Sequence, residues 1–187
     1  MVSHLADLAD DWRANESRYA GFDVPFSTAA VCVVQGGIAD NVVPEDCRFH
    51  YEFRNLPGVD ADALQRQVTD FAATLEPAMQ AVDPATGFRF ETIAAVPAFL
   101  AAADDPAVRL AQQLAGTRAT TLVAFGTEAG LFQSRAGVAS IVCGPGSIEQ
   151  AHKPDEFLDL SQVEACERFM RRLLDRLEQG EPATAGM

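Results

Sequence analysis

Two apolar segments in the C-terminal half of the chain each end at glycine and continue into polar residues. Residues 121–125 (TLVAF) lead into Gly-Thr-Glu, and residues 138–143 (VASIVC) lead into Gly-Pro-Gly and a polar loop that contains His152. Short apolar runs bounded by glycine predict buried strands. In open α/β sheets, ligands bind where loops leave the carboxyl ends of strands. We therefore expect a functional site at these two strand ends.

The composition is typical of a globular protein that binds neither nucleic acid nor membranes. The chain has 187 residues, 48% of them hydrophobic and 22% charged, which suits one domain or two small ones. Its net charge of −13 makes nucleic acid and anionic membranes poor partners. It has no apolar run of about 18 residues, the length a membrane span requires. Because no basic-then-apolar segment opens the chain, we expect a cytoplasmic protein.

The first 97 residues predict five elements that alternate between helical and extended structure. Apolar spacing near 3.6 residues indicates helices, and alternation of apolar and polar residues indicates half-buried strands. The predicted order is a helix over 3–14, strands over 28–35 and 47–54, a helix over 60–79 that Asp60 caps, and a strand over 88–93. This order is that of a βαββαβ sandwich without its first strand. Its exposed sheet edge is available for pairing with a second copy.

Residues 98–187 predict an α/β segment. Pro106 is placed to begin a helix that runs to 115, and a short helix follows near Thr127, between the two apolar strands. Ser161 and Glu164 have the spacing of a capping box, which predicts the start of the last helix. Apolar residues predict the inner face of that helix: Val163, Cys166, Met170, Leu173 and Leu177. From about residue 180 we expect a disordered tail.

Three of the four cysteines fall on predicted apolar faces. Cys32 and Cys47 belong to predicted strands and Cys166 belongs to the last predicted helix, without Cys-x-x-Cys spacing. In a cytoplasmic protein such residues are expected to be buried free thiols rather than disulfides.

Four motifs in combination resemble the M20 family of zinc-dependent amidohydrolases, and within it the acetylornithine deacetylase branch. They are GGIADNVVP at 36–44, EFRNLPG at 52–58, GTEAG at 126–130 and GPGSIEQAHKPDE at 144–156. The resemblance covers most of residues 21–178. It implies a ferredoxin-like βαββαβ lid, or dimerisation, domain over residues 1–97. It also implies that residues 98–187 are the C-terminal part of a zinc-peptidase-like α/β catalytic domain, and that the protein is a homodimer through the lid.

The activity that this resemblance implies is hydrolysis of an N-acyl amino acid, foremost N-acetylornithine to ornithine and acetate in arginine biosynthesis. The cofactor implied is zinc or cobalt, dinuclear in the full-length protein, with a metal-bound hydroxide that attacks the acyl carbonyl. In the family, most metal ligands and the general base come from an N-terminal half that this sequence does not contain. We therefore expect no catalytic residue in this chain. We also expect that the sequence is a fragment, or comes from a gene model that starts late, and that it is inactive alone.

His152 is the one metal ligand that the resemblance assigns to this chain. From the residues alone, a solvated loop histidine among acidic neighbours is the plainer interpretation, because most lone histidines bind nothing. His4 and His50 have no acidic residue at ligand spacing, so we expect both to be structural.

The resemblance assigns substrate contacts to Asn41, Arg54, Gly126, Thr127 and Glu128. Asn41 and Arg54 would hold the substrate carboxylate, to which an arginine fork binds in a bidentate manner. Gly126 and Thr127 would lie at the strand end, where backbone N–H groups at the start of the following helix can also hold a carboxylate. Glu128 would suit a cationic side chain such as that of ornithine. Each of these residues also has a plainer interpretation. Asn41 could be a turn asparagine and Arg54 a surface cation. Gly126 and Thr127 could form a plain strand-to-helix turn, and Glu128 could be a first-turn acid that complements the helix dipole.

Two other functions stay open. Within the same class, the protein could hydrolyse succinyl-diaminopimelate or N-acyl amino acids in general, because the acyl group leaves no sequence signature here. In a different class, it could be a non-catalytic dimerisation or ligand-binding module. Metal content of the full-length protein would separate the enzyme from the module.

Overall fold

The computed structural model describes residues 1–151 and 153–180 and has both helices and an antiparallel sheet. Its elements, in chain order, are α1 (Val2–Asn15), β1 (Thr28–Gly36), β2 (Cys47–Arg54), α2 (Ala61–Gln80), α3 (Pro106–Ala115), α4 (Ala129–Ala136) and α5 (Leu160–Glu178). The α/β class that the sequence predicts is confirmed. The helices and the first two strands begin within two residues of the positions that the sequence predicts.

The chain divides into two compact units. Unit 1 comprises Met1–Ala98 and Leu122–Gly126, and unit 2 comprises Phe99–Thr121 and Thr127–Met187. The division into a lid domain over 1–97 and a catalytic segment over 98–187 stays a prediction.

The β1–β2 hairpin is the centre of unit 1. Its register runs from the pair Thr28 and Arg54 at one end to Gly36 and Cys47 at the other, with an irregularity in the middle of β1. Along β2 the aromatic side chains are half-buried and the polar ones between them are exposed, so the predicted alternation is confirmed. Helix α1 packs against β1 and brings Trp12 edge-on to a β2 ring, with 5.6 Å between the ring centroids.

Helix α2 covers the same aromatic side of the hairpin through an apolar stripe. Its buried residues are Leu64, Val68 and Ala72. The Tyr51 hydroxyl donates to Gln65 Oε1 at 2.9 Å, which ties the hairpin to the helix. Further along α2, the His4 ring of α1 stacks on Phe71 with 3.8 Å between the ring centroids. These contacts join α1, β2 and α2 into one core.

Asp60 caps α2, as its position before the apolar stripe predicts. Its carboxylate accepts from the Asp62 N–H at 2.9 Å and from Arg66 Nη2 at 3.0 Å. Hydrogen bonding to the backbone at Ala63, then to Arg66 and to the backbone at Asp62, holds the pKa of the Asp60 carboxyl below its usual value.

One fully buried polar side chain joins three segments of unit 1. Ser27 Oγ donates to Glu16 Oε1 at 2.9 Å and accepts from the Leu56 N–H at 3.3 Å. The Ser27 N–H also donates to Glu16. Ser27 therefore connects the end of α1, the start of β1 and the turn after β2.

Unit 2 is organised around the contact between α3 and α5. Pro106 begins α3, as predicted, and the buried face of the helix is formed by Val108, Ala111 and Leu114. The Arg172 guanidinium of α5 donates to the Leu114 carbonyl at 2.8 Å, and Arg176 Nη1 donates to Gln113 Oε1 at 2.8 Å. These bonds satisfy acceptors in the last turn of α3.

Three predicted strands are wrong. Residues 88–93, 121–125 and 138–143 are described, yet none belongs to a strand, and β1 and β2 are the strands of the described chain. The physical reason is that a strand requires a neighbour whose backbone completes the hydrogen-bond ladder. Periodicity reports only how a segment would bury its side chains if such a neighbour were present.

The start of α5 also differs from the prediction. The N-cap is Asp159, whose carboxylate accepts from the Ser161 N–H at 2.8 Å, so the predicted Ser161–Glu164 capping box is wrong. Aspartate is among the strongest N-cap residues, and Ser161 therefore lies inside the first turn. Hydrogen bonding to Ser161, from its side chain and then its backbone, lowers the pKa of the Asp159 carboxyl.

The expected inner face of α5 is not buried, and the expected burial of the thiols is wrong too. No residue of α5 is buried, and its apolar stripe lines an open groove of about 360 Å³ with Leu158 and Pro145. All four cysteines are free, but Cys32, Cys47 and Cys143 are exposed and Cys166 is half-buried along that groove. The tail expected to be disordered lies, from residue 181, outside the described residues.

Candidate functional site

Arg54, at the end of β2, is bound along one edge by a carboxylate of its own strand. Its Nε donates to Glu52 Oε1 at 3.0 Å and its Nη2 donates to Glu52 Oε2 at 3.1 Å. The two residues are two positions apart, so they lie on the same face of the strand. Both side chains are about half exposed, at 50% and 47%. The guanidinium is thus oriented by a bidentate pair at the surface of unit 1.

Gly126 lies beside the remaining edge of that guanidinium. A Cβ built on Gly126 would be 3.6 Å from Arg54 Nη1. Both residues belong to unit 1, because Leu122–Gly126 groups with the hairpin. The structure therefore brings together two of the predicted substrate-contact residues, although residues 121–125 form no strand.

Asn41 lies at the opposite end of the hairpin from Arg54. It is exposed in a turn closed by the hydrogen bond from the Val42 N–H to the Ala39 carbonyl, at 3.2 Å. Gly36 pairs with Cys47 at this end of the hairpin. Since Cys47 and Arg54 are seven positions apart, the two ends are separated by roughly 23 Å at about 3.3 Å per residue. The hairpin does not bring Asn41 and Arg54 together, and a role of Asn41 in substrate binding stays a prediction.

Thr127 and Glu128 form the entrance to α4 in unit 2. Thr127 Oγ1 accepts from the Ala129 N–H at 3.4 Å, and the Glu128 carbonyl accepts from the Leu131 N–H at 2.9 Å. The exposed Glu128 side chain makes no capping hydrogen bond, and α4 begins at residue 129, two residues after Thr127. The hydroxyl of Thr127 thus takes one of the N–H groups that the sequence suggested for a ligand.

The predicted metal ligand, His152, lies outside the described residues. Within residues 1–151 and 153–180, no group of three or more His, Cys, Asp or Glu side chains is placed to hold a metal ion. His4 is stacked on Phe71 with its Nε2 3.3 Å from the Gln67 carbonyl, and His50 is exposed on β2. The described residues do not form a metal site, and the role of His152 stays a prediction.

Comparison with known proteins finds a family match within unit 1. A model of the peptidase dimerisation domain of the M20 family matches residues 1–80. These residues are therefore similar to the dimerisation domain of M20 proteins. The M20 resemblance drawn from the sequence motifs is thereby confirmed.

Proteins that are similar to this chain carry the name acetylornithine deacetylase. The protein of Aliivibrio salmonicida is 32% identical over 157 residues, which are 82% of this chain and 39% of the relative. That of Photorhabdus laumondii is 31% identical over 93% of this chain and 43% of its own length. That of Proteus mirabilis is 30% identical over 97% of this chain and 45% of its own length. The chain therefore spans less than half the length of these relatives.

The M20 dimerisation domain explains the hairpin and the two helices that pack against it, α1 and α2. The match ends at residue 80, the last residue of α2. Arg54 and Glu52 lie inside the matched part, whereas Gly126, Thr127 and Glu128 lie beyond it. Among the helices described, none is long and apolar enough to cross a membrane.

Glu52 is the residue of this candidate site to which the sequence motifs assigned no role. It belongs to the EFRNLPG motif, in which the resemblance assigns a role to Arg54 alone. The alternation of β2 held the signal, because residues two apart on a strand share a face and are close enough to pair. The cross-strand partners of Glu52 and Arg54 are Ala30 and Thr28, which carry no charge that competes.

Proposed function

We propose that this chain supplies the dimerisation domain and an adjoining C-terminal segment of a hydrolase that removes the acyl group from an N-acyl amino acid, N-acetylornithine first. The observation that carries the proposal is the guanidinium of Arg54, fixed along one edge and open along the other beside Gly126. The names of the relatives support the substrate, since each is an acetylornithine deacetylase.

Arg54 can recognise what all N-acyl amino acids share. Their α-carboxylate presents two oxygens in a plane, and the open edge of a guanidinium presents two N–H donors at matching spacing. Such a pair gives direction as well as attraction, because both hydrogen bonds form only when the planes align. A net charge of −13 repels anions over the rest of the surface, so a carboxylate is held only where a cation is placed for it.

The other predicted contacts complete the proposal. For Glu128 we propose contact with a cationic side chain such as that of ornithine, and for Gly126 and Thr127 a role in binding the substrate, as the sequence motifs imply. Because Asn41 is at the far end of its own hairpin, we propose that it contributes to a different part of the site from Arg54. His152 supplies one ligand to zinc in the whole enzyme, and we expect that enzyme in the cytoplasm.

A matched pair of arginine variants tests the carboxylate contact. Calorimetric titration of the chain with N-acetylornithine should show binding that Arg54→Gln weakens by about ten-fold or more, because a hydrogen bond to a charged group contributes about 1.5–3 kcal/mol. Arg48→Gln removes the same charge from the same exposed face of β2, at its opposite end, and should change little. Equal losses in the two variants would show a general effect of charge and would refute the contact.

Competing ligands and mass measurements test the rest. Succinyl-diaminopimelate in the same titration tests the alternative substrate, and tighter binding of it would replace N-acetylornithine as the proposal.

Zn²⁺ titration of the chain with and without His152→Ala tests the metal ligand, with His50→Ala as the control. Sedimentation of the 20.0 kDa chain tests the homodimer, and a monomer at all concentrations would contradict it.

A further inference from the structure

The guanidinium of Arg54 has two binding edges, and the structure shows which of them is occupied. The side edge, formed by Nε and Nη2, is held by both oxygens of Glu52 at 3.0 and 3.1 Å. The end edge is formed by Nη1 and the second N–H of Nη2, and its Nη1 lies near Gly126, where a Cβ would be 3.6 Å from Nη1. Since an arginine side chain has five donors, Glu52 uses two of them and leaves a complete fork for another carboxylate.

We propose that Glu52 is a positioning residue, which fixes Arg54 so that its end edge faces Gly126 and receives the α-carboxylate of the ligand. This inference rests on the proposed function of Arg54. Arginine is long and flexible, and ordering it in a binding event costs free energy that a pre-organised side chain does not lose again. Glu52 supplies that order before the ligand arrives.

The sequence around the pair supports this role. Ala30 and Thr28 face Glu52 and Arg54 across the hairpin, so neither residue has a charged cross-strand neighbour to draw it away. The pairing therefore runs along β2, and the position of the guanidinium follows from the position of the strand. Both side chains are half exposed, so solvent screens the repulsion between Glu52 and an incoming carboxylate.

Two substitutions at residue 52 separate positioning from charge. Glu52→Gln removes the negative charge but keeps an oxygen that accepts from the Arg54 N–H, whereas Glu52→Ala removes both. Because the two variants have the same charge, the difference between them reports the orientation of Arg54 alone. We expect Glu52→Ala to bind N-acetylornithine about two- to five-fold more weakly than Glu52→Gln, the range expected when one exposed, oriented pair is lost. Equal affinities, or tighter binding by Glu52→Ala, would overturn the inference.

Two controls keep the outcome specific. Glu45→Gln removes the same charge from the loop at the other end of the hairpin and should leave the affinity as in the unmodified chain. The Arg54 Nε–H resonance, followed by NMR without ligand, should be protected from exchange in the unmodified chain and lose that protection in Glu52→Ala. An unprotected resonance in the unmodified chain would also overturn the inference.

The result at residue 54 distinguishes the two proposals. If Arg54→Gln abolishes binding while the two Glu52 variants bind alike, the carboxylate contact stands and the positioning role fails. If Arg54→Gln has no effect, or the unmodified chain shows no saturable binding, the proposed function fails and the positioning role fails with it.

Discussion

Replacing Ser27 with alanine removes a hydroxyl that joins three segments of unit 1 and that solvent does not reach. The Ser27 side chain is 0% exposed. Its Oγ donates to Glu16 Oε1 at 2.9 Å and accepts from the Leu56 N–H at 3.3 Å. Alanine fits the same space but makes neither bond, so the substitution tests whether this buried polar group holds the unit together.

The expected loss of stability follows from the hydrogen bonds that Leu56 and Glu16 keep or lose in Ser27→Ala. Leu56 is 7% exposed, so its N–H loses its partner in a place that water barely reaches, which costs about 1–3 kcal/mol. Glu16 still accepts from the Ser27 N–H, so its loss is at the lower end of the same range. Because bonds that share an atom are not additive, we expect the free energy of unfolding of unit 1 to fall by about 2–3 kcal/mol in total.

Urea denaturation followed by tryptophan fluorescence measures this loss. Trp12 is the one tryptophan of the chain, is 5% exposed and packs against Phe53, so it reports unit 1 and not unit 2. Ser17→Ala is the matched control, since Ser17 is exposed, and should change stability by less than about 0.5 kcal/mol. A Ser27→Ala loss as small as the control would refute the reasoning.

Two further predictions concern helix ends. Gly116 and Gly137 both end helices in the left-handed region, with φ of 71° and 64°, but only at Gly116 would a Cβ crowd another residue, Arg172 Nη1 at 3.2 Å. Alanine at either position strains the backbone by about 1–2 kcal/mol, so Gly116→Ala should lower the far-UV thermal midpoint more than Gly137→Ala, and equal shifts would show that the contact contributes nothing. The caps Asp60 and Asp159 have folded pKa values below the ordinary 3.8, so their stabilisation is complete above that value and is lost as the pH falls through the lower folded pKa. In Asp60→Asn, the stability of unit 1, followed by tryptophan fluorescence, should fall less as the pH is lowered. An unchanged fall would rule out the Asp60 cap as its source.

The parts of the fold that the sequence predicts correctly are those that local interactions decide. Helix α2 has its cap, Asp60, and its apolar stripe within one stretch of chain, and β2 has its alternation within eight residues. The strands predicted over 88–93, 121–125 and 138–143 are wrong because a ladder depends on a second segment far away in sequence. The exposed thiols follow from the same cause, since no layer of the described chain covers Cys32 or Cys47.

The candidate site shows the same limit at the level of single residues. The sequence motifs selected Arg54 and Gly126, and the structure places them near each other, with 3.6 Å between Arg54 Nη1 and the position that a Cβ would take on Gly126. They did not show that Glu52 holds the guanidinium, because that depends on the direction of both side chains, nor that Asn41 lies at the other end of the hairpin, because that depends on how β1 and β2 pair. A motif identifies which residues matter, whereas their geometry comes from pairing that sequence spacing does not encode.

The most direct test of the account compares two ligands that differ only in the carboxylate. N-acetylornithine and its carboxamide are titrated into the unmodified chain and into Arg54→Gln. The account predicts that the unmodified chain prefers the carboxylate by about ten-fold or more and that Arg54→Gln loses this preference, since the charged pair forms only when both partners are present. An equal preference in both proteins would contradict the claim that Arg54 binds the substrate carboxylate.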